Sequence, residues 1–191
     1  MIKENNCVSG KCLKFDGVDD YIPNYLSPPT TSTTIGFWVK RNNNIIGREQ
    51  FCWLWNDGGI IGLNNKKLYI YDGANYQTIN FDVADNKWHY IARVDYRVPE
   101  DLVFYIDGRE WGRYESKIFY GANLHFWGTA YNKTDYFYKG FMDDVRMYNM
   151  ALSSAQIKQN YIAGLNSMLA NGNISKEDYN ERINNLAYEQ E

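Results

Sequence analysis

Seventeen Tyr, nine Phe and six Trp stand in a chain of 191 residues, and several of them neighbour amide, carboxylate or guanidinium side chains. Trp55-Asn56-Asp57 is one such cluster. Trp111 between Arg109 and Arg113 is a second, and Trp127 followed by Tyr131, Asn132 and Tyr136 is a third; Asn42 to Asn44 and Asn75-Tyr76-Gln77 have the same character. A pyranose ring presents an apolar CH face that stacks on a flat aromatic, while its hydroxyls need planar polar partners. Loops carrying both kinds of side chain are therefore candidates for sugar contact. The alternative for each loop aromatic is local packing with a polar tip in water. Trp38 and Trp88 lie mid-strand in alternating text and are assigned to the core.

Catalysis would need other residues. Glycoside hydrolysis uses two carboxylates, about 5–5.5 Å apart for retention or about 6.5–9.5 Å for inversion. The strand-like stretches 88–94, 102–106 and 124–127 carry no Asp or Glu pair facing one way, and the adjacent Asp143 and Asp144 face opposite sides of a strand. No serine lies in a Gly-x-Ser-x-Gly elbow. The chain is thus expected not to be an enzyme. Cys-x-x-Cys spacing is absent and His89 and His125 stand apart, so a zinc-type site is not indicated either.

The elements that must position these residues are mostly strands. Short alternating segments (13–15, 34–40, 51–55, 68–71, 88–94, 102–106, 123–127, 138–142 and 145–148) are separated by Asp-Gly and Asn-rich turns such as Asp72-Gly73 and Asp107-Gly108. That is the pattern of an all-β, two-sheet antiparallel sandwich. Asp-Gly tolerates the positive φ of a tight hairpin turn. The period changes after Leu152. Ser153 and Gln156 read as a capping box, and Ile157, Tyr161, Leu165 and Met168 recur at helical spacing. Asn171-Gly172-Asn173 stops this helix, and Ser175 caps a second one with a stripe of Tyr179, Ile183 and Leu186. The division is a sandwich over residues 1–152 and a helical hairpin over 153–191. The first helix is expected to run off the sandwich, and the second to pack on Leu165 and Met168 or on a partner.

A net charge of −3 and a sequence pI near 5.5 offer no basic excess for phosphates, so nucleic acid is not an expected partner. No apolar run is long enough to span a membrane, and the first residues lack the regions of a signal peptide. Cys7 and Cys12 are spaced for a small-loop disulfide, with Cys52 as a buried hydrophobe; three free thiols in a reducing compartment is the alternative.

The run from Gly10 to Ile22, with Phe15-Asp16-Gly17 and Asp20-Tyr21, resembles the opening strand of laminin-G-like, concanavalin-A-like lectin domains. Ile35 to Lys40 looks like that family's first long core strand. Lys87 to Ala92 with Leu102 to Gly108 looks like its central hairpin, and Gly140 to Ser153 like its closing strand and the start of its terminal helix. The resemblance covers Val8 to about Ala163. It implies a jelly-roll sandwich with first and last strands adjacent, and a structural Ca²⁺ held near there by Asp16, Asp19 and Asp144. Oxygen ligands suit that hard cation; turn bonds from Asp16 and Asp19 and a pair between Asp144 and Arg146 are the alternative. The stretch Tyr161 to Arg182 is similar to the tail after such domains in prokaryotic pilin-like surface proteins, which implies an ectodomain or a processing product. Together these readings predict a non-catalytic extracellular recognition module. Its expected partner is a glycan or cell-surface polymer, bound through Trp55, Asn56, Asp57, Trp111, Trp127, Tyr131, Asn132 and Tyr136. The alternatives are a filament subunit making protein contacts and, less favoured, a glycoside hydrolase.

Overall fold

The computed structural model describes residues 7–24, 32–42, 44, 47–54, 59–71, 75–96, 101–115, 125–130 and 134–186. Its strands are β1 (Leu13–Asp16), β2 (Ile22–Asn24), β3 (Thr33–Lys40), β4 (Arg48–Leu54), β5 (Gly59–Asn64) and β6 (Lys67–Tyr71). They continue with β7 (Tyr76–Asp82), β8 (Trp88–Tyr96), β9 (Asp101–Ile106), β10 (Arg109–Glu115), β11 (His125–Trp127) and β12 (Lys139–Tyr148). Helices α1 (Ser154–Ala170) and α2 (Lys176–Asn185) follow. One sheet has the order β1-β12-β3-β8-β9-β10 and the other β2-β11-β4-β5-β6-β7. Every pairing is antiparallel. The first and last strands are neighbours, as the resemblance implies, and the fold is the expected antiparallel jelly-roll sandwich followed by two helices.

Alternation decides what each sheet buries. Ile35, Phe37 and Val39 on β3, Ile91 on β8, and Leu102, Phe104 and Ile106 on β9 face Phe51, Cys52, Ile61, Leu63, Leu68 and Ile70 of the second sheet in the main core. Burying each such aliphatic or aromatic side chain stabilises by about 1.5–3 kcal/mol. Two ion pairs are buried with this layer. Arg93, fully buried, holds Asp95 through 2.8, 2.9 and 3.1 Å bonds, and Arg41 holds Glu49 at 2.6 and 2.9 Å.

The opposite face of the first sheet forms a second core. Trp38, Trp88, Tyr90, Val103 and Tyr105 pack against Ile157, Tyr161, Leu165 and Met168 of α1 and Leu186 after α2. This corrects the expectation that the first helix leaves the sandwich: its apolar stripe is wide enough to close that sheet. The capping box at Ser153 and Gln156 is present. Arg182 on α2 donates to the Trp88 carbonyl at 2.7 Å, and Tyr179, Ile183 and Leu186 join the same layer.

Four strands were not anticipated. β5 begins in a Gly-rich stretch that reads as a turn, β7 and β10 are polar edge strands, and β2 has three residues. The segments 138–142 and 145–148 are one strand, β12, interrupted by an irregularity between Asp143 and Arg146 where Asp144 takes φ 46°. The Asp107-Gly108 turn has both residues at positive φ, 51° and 78°, as its hairpin requires.

Candidate functional site

Both helices lie on the first sheet, and among the described residues none lies on the outer face of the second. That face is built by register. Gln50 of β4 stands opposite Gly62 of β5, which stands opposite Tyr69 of β6, and Tyr71 faces Tyr76 of β7. Gly62 matters here because a Cβ would sit 2.3 Å from the Glu49 carbonyl oxygen and 2.9 Å from the Tyr69 ring. The tyrosine can therefore lie down across the strand.

Around it gather Tyr76, with ring centroids 5.9 Å from Tyr69 and 4.8 Å from Tyr71, and the Arg48 guanidinium, 5.1 Å from the Tyr76 ring and 5.8 Å from that of Tyr69. The Gln50 backbone N–H donates at 2.8 Å to the backbone carbonyl of Tyr136, which brings that residue alongside β4. Tyr69 is buried, and burial, with smaller contributions from Tyr76 and Tyr136, holds its hydroxyl protonated well above the usual range. Tyr76 is 53% exposed and Tyr136 42%. The result is a buried tyrosine floor with two exposed rings and a guanidinium at its margins. Such a surface can stack an apolar ring face and donate hydrogen bonds beside it.

The structure divides the sequence-predicted residues. Tyr136 joins this face. Trp55, Asn56, Asp57, Tyr131 and Asn132 lie outside the described residues. Trp127 is a correction: it is only 4% exposed and packs edge-to-face on Phe37 at 5.4 Å, because β11 is held between β2 and β4 with this ring turned into the sandwich. Trp111 is 38% exposed but sits on β10, an edge strand of the other sheet, 5.1 Å from Phe81. It borders a cleft of about 110 Å³ with Asp107, Arg109, Tyr161 and Arg182. Tyr76 belongs to the aromatic and amide cluster Asn75-Tyr76-Gln77 legible in the sequence, whereas Arg48 is the residue that sequence reasoning misses: its neighbours, the Tyr69 and Tyr76 rings, exist only once the register is known.

The acidic residues do not converge. Asp16 pairs with Lys139 and Leu13 with Met142, so Asp144 lies beyond the opposite end of β1 from Asp16 and Asp19. Asp144 accepts from Arg146 at 2.8 Å, and Asp143 accepts from the Ser9 amide at 2.9 Å. This corrects the grouping of Asp144 with the other two. Asp16, Asp19 and Asp20 do cluster, with one oxygen from each within 4.8 Å of the others. One Asp16 oxygen accepts from the amides of Val18 and Asp19, and one Asp20 oxygen from the amide of Asp16.

Near the Trp111 cleft, His89 bridges Asp107, 2.7 Å from Nδ1, and Asp85, 3.1 Å from Nε2. Burial alone would lower the imidazole pKa, but the two carboxylates outweigh it and raise it to about 9. Burial likewise opposes ionisation of Asp85, yet its bond to His89 holds it down at about 2. Cys7 and Cys12 form a disulfide with Cα atoms 5.4 Å apart, and Cys52 is a buried thiol whose pKa burial pushes up to about 12.

Solved structures share this architecture at low identity. The binding domain of Paraclostridial Mosquitocidal Protein 1 aligns with a TM-score of 0.65 and 15% identity over 87% of this chain and 47% of that one. The binding domain of botulinum neurotoxin serotype D gives 0.64 and 16% over 82% and 43%. A proposed carbohydrate binding protein from Bacteroides ovatus gives 0.60 and 15% over 80% and 49%. This chain thus spans less than half the length of each. No curated protein matches it. The family model described as the concanavalin A-like lectin/glucanases superfamily matches residues 16–158, the span that runs from the last residue of β1 through β2 to β12 and into the start of α1. With that match, the two six-stranded sheets and their adjacent terminal strands, the chain belongs to the concanavalin A-like lectin/glucanases superfamily.

Proposed function

We propose that this chain is a non-catalytic carbohydrate-binding module acting outside the cell, with the tyrosine face of the second sheet as its saccharide platform. The observation that carries the reading is the grouping of Tyr69, Tyr71, Tyr76 and Tyr136 with Arg48 on a face the helices leave open. A saccharide ring stacks on Tyr76 and Tyr136, and Arg48 donates to its hydroxyls. Binding as the role is supported by the toxin binding domains and the Bacteroides protein among the similar structures. The carboxylates best placed inside the fold are already committed, Glu49 to Arg41, Asp95 to Arg93, and Asp85 and Asp107 to His89, which favours binding over hydrolysis. The Cys7–Cys12 disulfide fits an oxidising compartment.

Calcium has a structural place in this reading at Asp16, Asp19 and Asp20. One carboxylate oxygen from each of the three lies within 4.8 Å of the others, close enough to share a hard cation. Asp144 takes no part.

A glycan array followed by calorimetry tests the proposal. We expect at least one neutral glycan to bind, Tyr76→Ala and Arg48→Met each to weaken it roughly tenfold or more, as loss of a stacked ring or a charged donor does, and Trp127→Phe to leave affinity unchanged. Absence of any glycan signal, or affinity indifferent to both substitutions, would sink it.

A further inference from the structure

The first sheet carries a second candidate site, at the end that α1 and α2 do not cover. Register sets it out. Lys14 on β1 pairs with Phe141 on β12, and Phe141 pairs with Lys40 on β3, so one aromatic ring lies between two lysines in a single cross-strand row. Lys139 is two residues before Phe141 and therefore shares its face. The Lys14 ammonium lies 5.5 Å from the centroid of the Phe141 ring. These residues line a pocket of about 320 Å³ together with Asp16, Arg41, Asn42 and Asn86.

The charge in that pocket is unbalanced. Arg41 is 2% exposed and neutralised by Glu49, while Lys40 and Lys139 have no ion-pair partner among the described residues. Asp16 is the one carboxylate in the lining, and one of its oxygens already accepts two backbone amides. The ammonium groups of Lys40 and Lys139 against this one carboxylate make a locally cationic pocket on a chain of net charge −3. A field of that kind selects anions. The ring between the lysines adds a flat apolar surface, and the volume is at the small end of the ligand pockets of about 300–1,000 Å³.

From this arrangement we infer that the Lys14–Phe141–Lys40 row with Lys139 binds a carboxylated saccharide unit, such as a uronic acid residue of an acidic polysaccharide. Its ring face stacks on Phe141, and its carboxylate is held by Lys40 and Lys139. The site is on the opposite sheet from the tyrosine platform and takes a different class of sugar. It does not depend on the platform being a sugar site.

Calorimetry on the full chain with trigalacturonate, the neutral galactose trimer and inorganic phosphate tests it. Trigalacturonate should bind, the neutral trimer should bind at least tenfold more weakly, and phosphate should compete poorly because it cannot use Phe141. Lys40→Gln and Lys139→Gln should each weaken trigalacturonate roughly fivefold, a typical exposed charge contact. Raising salt from about 50 to about 300 mM should weaken it further. Tyr76→Ala should change nothing, which separates this site from the platform. No binding of trigalacturonate, equal binding of the neutral trimer, phosphate binding as tight as the sugar, or affinity unmoved in both lysine variants would each overturn the assignment.

Discussion

Trp38 of β3 and Tyr161 of α1 stack with ring centroids 5.4 Å apart and planes 20° from parallel. This contact fixes the helical hairpin to the sandwich, and it settles which sheet is left open. Because α1 and α2 close the face that carries Trp38, Trp88, Tyr90 and Tyr105, the tyrosine face of the other sheet is where a large ligand can lie.

The closeness of that stack makes Gly164 hard to replace. A Cβ there would stand 2.3 Å from the Trp38 ring, which is fully buried and cannot move aside. Alanine gains up to about 1 kcal/mol in helix propensity over glycine, but overpacking costs about 1–3 kcal/mol. We expect Gly164→Ala to lower stability in urea unfolding, with the loss of tertiary signal around Trp38 visible in near-UV circular dichroism. A stabilised variant would show that the helix can shift away from the sheet at little cost.

Arg93 reaches across the core, bonding Asp95 and approaching the Tyr71 carbonyl of the second sheet at 3.4 Å. Removing one partner of a buried pair leaves a lone charge and costs about 3–5 kcal/mol, whereas replacing both with apolar residues is often neutral. Arg93→Met should therefore be strongly destabilising. Arg93→Met with Asp95→Leu should recover most of the loss. Equal melting temperatures for the single and double variants would contradict this.

The His89 cluster predicts a pH dependence. Its imidazole has a folded pKa of about 9 against about 6.5 unfolded, so the folded state binds the proton more tightly. The stabilisation is complete below about pH 6.5 and is lost as pH rises through about 9. Chemical denaturation midpoints should fall across that window in the native chain and stay flatter in His89→Gln. Asp85 reports the same interaction from the acid side: its contribution is present above the unfolded carboxylate pKa of about 3.9 and is lost as pH falls towards 2.

Calcium removal separates the acidic groups. With a structural ion at Asp16, Asp19 and Asp20, added Ca²⁺ should raise the melting temperature and EDTA should reverse the rise. Asp19→Asn should abolish that response, while Asp144→Asn should keep it. A melting temperature that Ca²⁺ does not move would remove the ion from the account of this fold.

Much of the fold was legible because it depends on local pattern. Alternation in 34–40, 88–94 and 102–106, the Asp107-Gly108 turn and the Ser153 capping box each state their conformation within a few residues, and all three strands, the turn and the cap are present. The sites were less legible. Trp127 sits beside a polar, aromatic-rich loop, but its burial follows from pairing with β2 and β4, which its neighbours in sequence do not specify. Asp144 was grouped with Asp16 because adjacent strands suggest proximity, yet an antiparallel register can carry two residues to opposite ends of the same pair.

The amino-acid order alone determined that this is a β-sandwich with a helical tail, since strand and helix periods are properties of neighbouring residues. Tertiary structure alone decided that the tail folds back on one sheet, that Tyr76 and Arg48 meet Tyr136 on the other, and that Lys40 and Lys139 flank Phe141. Those juxtapositions join residues far apart in sequence, such as Trp38 with Tyr161 and Lys40 with Lys139. Only cross-strand register and the choice of which face to bury can bring them together.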